Sequence, residues 1–156
     1  LANSAWVKRQ VMGVFAPEWV EPIASAMLAL GAKRAMVVHG LDGMDEISTT
    51  GETLVADVKD GSVRVHSLTP ESIGIARASL EQLRGGTVAE NAEALKRVLG
   101  GENGAFGDLV AVNAGAAILV AGLAETLEDG IVQARASVTS GQAIAALEAL
   151  RRASNG

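Results

Sequence analysis

Ala35-Met36-Val37-Val38-His39-Gly40-Leu41-Asp42-Gly43-Met44-Asp45-Glu46-Ile47-Ser48 is the stretch that decides the fold. Its first four residues form an apolar run that reads as a buried strand bounded by turn residues. Gly40 to Glu46 then places glycines and three carboxylates where that strand ends. In open α/β sheets, ligands collect at the carboxyl ends of strands. Asp45 and Glu46 are neighbours, so a regular strand would send them to opposite faces. An irregular loop after Gly43 lets both carboxylates meet one cation or two. Magnesium takes one or two protein carboxylates and leaves its other positions to water and substrate phosphates. The pair therefore suits a magnesium–phosphate ligand better than a closed structural metal site. The same composition also describes a solvated turn, and spacing alone leaves that reading open. A calcium loop is ruled out, because it needs acidic or amide residues at alternate positions and a later glutamate.

Working outward towards the N-terminus, Leu1 to Trp6 reads as an irregular lead-in. Val7 to Phe15 contains a strand, best around Gln10–Val14, apolar enough for a parallel strand covered on both faces. Pro17 opens a helix running to Leu30, with Val20, Ile23, Met27 and Leu30 as its apolar stripe and Gly31 as its stop. Strand, helix and strand over roughly 30 residues predict a right-handed βαβ unit.

Towards the C-terminus, Thr53–Asp57 and Val63–Ser67 predict two short strands, and Asp60-Gly61 is a two-residue hairpin signal. Leu54, Ala56 and Val58 alternate with Thr53, Val55, Asp57 and Lys59, the pattern of a half-buried antiparallel strand. This hairpin is expected to extend the sheet at one edge. Thr69-Pro70-Glu71 ends it, and residues 72–83 read as a connector with a short helix. Thr87-Val88-Ala89-Glu90 is a capping box for a helix ending at Leu99, before Gly100-Gly101. Leu109 to Ala124 has Asn113 as its one strongly polar member. It is too short for the roughly 20 residues that span a bilayer. It reads as a buried helix with Asp108 as its N-cap and Gly115 and Gly122 permitting close packing. Helices over 125–139 and 142–152, divided by Ser140-Gly141, complete the chain. The fold class is α/β: an open, mainly parallel sheet with an antiparallel edge hairpin, flanked by helices.

The 156 residues suit one domain with a real core, and 49% hydrophobic with 20% charged residues is ordinary for a globular protein. The absence of cysteine excludes a disulfide scaffold, a zinc-thiolate site and a cysteine nucleophile. A net charge of -5 and 3% aromatics, with no tyrosine, argue against a nucleic-acid partner. No signal peptide opens the sequence, which makes the cytoplasm the default expectation, without membrane association. The first residue is leucine, so the gene is expected to begin upstream.

Other conspicuous residues each carry two readings. His39 could act as a base or phosphate donor, or be a hydrogen-bonded structural residue. His66 alternates onto the polar face of the hairpin and reads as exposed. Lys8-Arg9 could hold phosphate or be solvated. Arg84-Gly85-Gly86, before a helix N-terminus, could hold an anion, but lacks a preceding strand and the full glycine pattern. Capping and helix packing explain Asn91 and Asn113 as well as a site does. No Ser/His/Asp set is arranged for catalysis. The residues alone stop at an α/β domain with a site suited to magnesium and phosphate.

The string Val37–Ser48 resembles the anthranilate phosphoribosyltransferase family, most specifically in His39-Gly40-Leu41-Asp42-Gly43-Met44-Asp45-Glu46-Ile47-Ser48. Leu1-Ala2-Asn3, Lys8–Val14, Leu68–Glu71, Arg84-Gly85-Gly86 with Asn91-Ala92, and Val112-Asn113-Ala114 continue the likeness in the family's order. Met44 stands where the family usually has leucine, a volume-conserving change. Asn3-Ser4-Ala5 stands where it usually has Asn-Pro-Ala, which puts the conformation of the lead-in in doubt. The resemblance implies the sheet class of nucleoside phosphorylases and phosphoribosyltransferases. It also implies transfer of phosphoribosyl from phosphoribosyl pyrophosphate to anthranilate, with release of pyrophosphate, in tryptophan biosynthesis. Asp45 and Glu46 are then the ligands of Mg2+ on the pyrophosphate, while no catalytic or substrate-binding residue is assigned. The likeness covers only the second half of the family's chain. The N-terminal helical domain, the glycine-rich phosphate loop and the anthranilate-binding arginine are missing from it. The 156 residues are therefore expected to be part of a larger homodimeric enzyme, inactive alone and with an exposed sheet edge wanting the missing half. A pyrimidine nucleoside phosphorylase-like enzyme is the alternative, which the Asp45-Glu46 pair disfavours. A non-catalytic nucleic-acid-binding relative is a second, which the acidic balance disfavours.

Overall fold

A computed structural model describes residues 7–155; the lead-in Leu1–Trp6, with Asn3-Ser4-Ala5, lies outside them. Strand β1 (Arg9–Gly13) is followed by a single 3-10 turn at Pro17–Trp19 and helix α1 (Val20–Ala29). Strands β2 (Arg34–Gly40), β3 (Thr53–Lys59) and β4 (Ser62–Leu68) come next. Short 3-10 turns at Pro70–Ile73 and Glu81–Leu83 lead to four helices. These are α2 (Val88–Leu99), α3 (Ala105–Ala121), α4 (Leu127–Thr139) and α5 (Gln142–Ser154).

The sheet order is β1-β2-β3-β4. β1 and β2 run parallel, from Arg9 opposite Arg34 to Gly13 opposite Val38. The expectation of a mainly parallel sheet holds for this pair alone. β2 with β3 and β3 with β4 are antiparallel, because α1 is the one helix that carries the chain back across the sheet between consecutive strands. The edge hairpin turns at Asp60 and Gly61, whose φ angles of 51° and 74° are those of a two-residue turn matched to strand twist.

Two cores face opposite sides of the sheet. α1 lays Val20, Ala24 and Met27 against Ala35, Val37, Ala56 and Val58. On the other side α3 and α4 lay Val112, Ala116, Leu119 and Ile131 against Met36, Val38 and Val55. β3 therefore buries both faces. Reading it as half-buried is corrected: Val55 breaks the alternation, and β3 lies between β2 and β4 with layers above and below. Leu30 also leaves its predicted stripe. It caps the end of α1 and is 65% exposed.

The buried helix begins earlier than expected. Gly104 is its N-cap, and Asp108 sits within the first turn, bonded to Arg135 of α4 at 2.7 Å. Gly115 supplies the close packing read for it: a Cβ there would lie 2.7 Å from the Ile131 nitrogen, and Gly130 returns the contact. Gly122 instead ends the helix in the left-handed conformation at φ 81°. α2 carries the predicted capping box between Thr87 and Glu90 and ends at Leu99. No helix is long and apolar enough to cross a membrane among the described residues.

Candidate functional site

The loop 41–52 joins the C-terminal end of β2 to β3, and its own polar side chains shape it. Gly40 donates its N–H to the Met44 carbonyl at 2.8 Å and Gly43 to that of Gly40 at 2.9 Å, closing a tight turn. Leu41 donates to the Glu52 carbonyl at 2.8 Å and so ties the loop's two ends. Inside this ring Asp42 is the hub. Its carboxylate accepts from the Ser48 and Thr50 hydroxyls and, at 3.2 Å, from the Met44 N–H. Burial pushes the Asp42 carboxyl up, but the hydroxyl bonds from Ser48 and Thr50 outweigh it and hold the group below its usual range. Ser48 Oγ also accepts from the N–H groups of Thr50 and Gly51, and Thr53 Oγ1 accepts from the Ser48 N–H at 2.9 Å.

Two further contacts seat the loop on the domain. A Cβ built at Gly13, the last residue of β1, would fall 1.5 Å from the Asp45 carbonyl oxygen. Only glycine lets the two backbones approach so closely. From α3, Asn113 accepts from the Ile47 N–H and donates to the Ile47 carbonyl, both at 3.0 Å. Ile47 is fully buried in the α3 core.

The pair picked out by the sequence thus sits on a braced loop. Asp45 is exposed and Glu46 half-buried. Burial, and then the charges of Asp45 and Asp42, push the Glu46 carboxyl above its ordinary range. The charges of Asp42 and Asp45 thus reach Glu46 and repel its ionised form. A divalent ion would relieve that repulsion, and an open oxygen-donor pair is the donor set magnesium accepts. Among the described residues no group of three or more His, Asp or Glu side chains converges on a metal-sized site. A metal held by Asp45 and Glu46 would thus keep most of its positions for other ligands.

The remaining candidates have structural partners. His39 is buried, and its Nδ1 lies 2.8 Å from the Val14 carbonyl oxygen, so its ring ties the ends of β1 and β2 together. His66 is not simply exposed. It lies on the inner face opposite Val55, with Nδ1 3.6 Å from Asp57 Oδ2 and shielded from solvent. Arg9 donates to the Val120 carbonyl at 2.8 Å, which ties β1 to the end of α3, whereas Lys8 is exposed. The N–H groups after Arg84-Gly85 are already used. Gly86 donates to Asn91 at 2.8 Å, and Thr87 donates to Glu90 at 2.7 Å. An acidic cap stands where an anion would bind. A cavity of about 470 Å³ lies apart, between α3, α4 and the ends of α2 and α5, and Asn113 does not line it.

Sequence reasoning missed the hub role of Asp42, the clamp from Asn113 and the close approach of Gly13. Only the density of Ser, Thr and Asp between Asp42 and Thr53 signalled a self-bonded loop.

Residues 1–144 match the model of the family described as glycosyl transferase family, a/b domain. The chain is 51% identical over its full length to anthranilate phosphoribosyltransferase of Parvibaculum lavamentivorans, covering 46% of that protein. A crystal structure of anthranilate phosphoribosyltransferase from Thermus thermophilus is similar over 87% of this chain and 40% of its own, with TM-score 0.79 and 45% identity. The Saccharomyces cerevisiae enzyme in complex with PRPP and Mg is similar over 90% of this chain and 41% of its own, with TM-score 0.80 and 26% identity. The chain spans less than half the length of the curated relatives it matches.

Proposed function

The chain belongs to the glycosyl transferase family defined by that a/b domain, and on that premise we propose that it is part of an anthranilate phosphoribosyltransferase of tryptophan biosynthesis. The complete protein moves phosphoribosyl from phosphoribosyl pyrophosphate to the amine of anthranilate. The bond from ribose C1 to the pyrophosphate oxygen breaks, a bond from C1 to the amine nitrogen forms, and the amine loses a proton. Positive charge on the ribose and negative charge on the pyrophosphate develop together, so the protein has to position two reactants and stabilise a leaving group. No protein nucleophile is required.

The braced acidic loop is the observation that carries this reading. Asp45 and Glu46 would hold Mg2+, which would offset the negative charge growing on the leaving pyrophosphate. Asp42 keeps the loop's shape, bonded as it is to Ser48 and Thr50. Gly13 and Asn113 hold its backbone against β1 and α3. The groups that would grip the ribose phosphate and the anthranilate carboxylate belong to the other half of the protein, so the 156 residues alone do not turn over. In full length the protein is a cytoplasmic homodimer under this reading, which light scattering on a sizing column checks for the dimer.

The test is formation of phosphoribosyl anthranilate and pyrophosphate by the full-length protein with magnesium. Activity is expected, with Asp45→Asn and Glu46→Gln each lowering kcat/KM by at least about 100-fold, a loss of roughly 2.7 kcal/mol. A folded, magnesium-replete protein that makes no product sinks the reading.

A further inference from the structure

Asn113 does more than pack. It is the one strongly polar side chain of α3 beyond Asp108 in the first turn, and its amide makes three bonds. One runs back to the Leu109 carbonyl, four residues earlier, at 3.0 Å. The other two close on both backbone polar groups of Ile47, 66 residues away. A primary amide matched in this way copies the pairing of one strand with another, so a residue outside any strand is held as if in a ladder.

The place of that clamp matters. The Ile47 N–H belongs to the rigid peptide plane that follows Glu46, and the Asp45 carbonyl to the plane that precedes it. Asn113 holds the first, and the wall made by Gly13 confines the second. With both flanking planes held, α3 and β1 join the loop's own bonds in setting the direction in which Glu46 leaves the backbone.

We propose that Asn113 is a positioning residue for the Asp45–Glu46 pair, setting the divalent-cation affinity of the loop through Ile47. This rests on the metal reading above. Groups of this kind, which orient metal ligands from one layer out, typically change metal affinity 10–100-fold when removed.

Mn2+ binding to the full-length protein, followed by electron paramagnetic resonance, separates the two ideas. Asn113→Ala removes all three bonds. Asn113→Ser keeps a hydroxyl that can still bond to the Leu109 carbonyl but is too short to reach Ile47. Both variants are expected to bind Mn2+ about 10–100-fold more weakly. KM for the magnesium complex of phosphoribosyl pyrophosphate should rise more than kcat falls. Asn113→Ser, which leaves the Ile47 N–H and carbonyl without this partner, should unfold below the wild-type midpoint yet remain folded at the assay temperature. A folded Asn113→Ser with wild-type Mn2+ affinity overturns the positioning role if Asp45→Asn and Glu46→Gln do weaken binding. If none of the four variants weakens it, the metal assignment falls and the positioning role falls with it.

Discussion

Glu46 is held where its ionised carboxylate is disfavoured. Burial and the neighbouring charges of Asp45 and Asp42 raise its folded pKa above the unfolded value. The native state therefore binds the extra proton, and stability falls as pH rises through the interval between the two values. Glu46→Gln removes that dependence. Without metal, the variant is expected to unfold at a slightly higher temperature than wild type at pH 7 and at about the same temperature at pH 4. The gain is small because the side chain is only half-buried. If Glu46 is a magnesium ligand as proposed, added magnesium is expected to reverse the order, raising the wild-type midpoint and leaving the variant's unchanged. Thermal melts at the two pH values, with and without magnesium, check both signs.

Gly13 is the second residue on which the loop depends. In Gly13→Ala the new methyl would meet the Asp45 carbonyl at 1.5 Å, so one backbone must move. A cost of about 1–3 kcal/mol follows from overpacking, together with weaker Mn2+ binding because Asp45 is displaced. Urea denaturation and metal titration of the same variant measure the two effects. Unchanged metal affinity would separate Gly13 from the site.

Between elements, α3 and α4 approach closely where Gly115 and Gly130 face each other. Alanine is a better helix former than glycine by about 1 kcal/mol. Gly115→Ala is nevertheless expected to destabilise the protein by about 1–3 kcal/mol, because its Cβ would press on the backbone at Ile131 at 2.7 Å. A denaturation midpoint above wild type would show that the helices can separate freely.

The elements legible in the sequence are those fixed by local chemistry. The Asp60-Gly61 turn, the Thr87–Glu90 capping box and the stop at Leu99 lie where the residues point. The errors are non-local. The second buried face of β3 depends on α1 and α3 packing from opposite sides, and Val55 is an ordinary strand residue until that layer is known. Asp108 reads as a cap by type, but the helix starts a turn earlier and Asp108 pairs instead with Arg135, 27 residues on. The acidic pair is visible because it is contiguous. Its supports at Gly13 and Asn113 are not, since one carries no chemistry and the other acts across 66 residues.

At the scale of the whole molecule, three layers present the end of β2 to one side, and the loop there carries the Asp45–Glu46 pair proposed as the metal ligands. The chain spans 46% of its Parvibaculum relative, and under the proposed function the substrate-gripping groups belong to the rest of the protein. Mixed with both substrates and magnesium, the 156 residues alone are expected to show no turnover above background in a fluorescence assay, while the full-length protein turns over. The most direct measurement is a crystal structure of the full-length protein with phosphoribosyl pyrophosphate and Mn2+, read by anomalous scattering at the metal. A peak within coordination distance of the carboxylate oxygens of Asp45 and Glu46, the pyrophosphate completing its shell, is the predicted result. A metal bound to the pyrophosphate with both carboxylates turned away to solvent would contradict the assignment of this loop as the metal site.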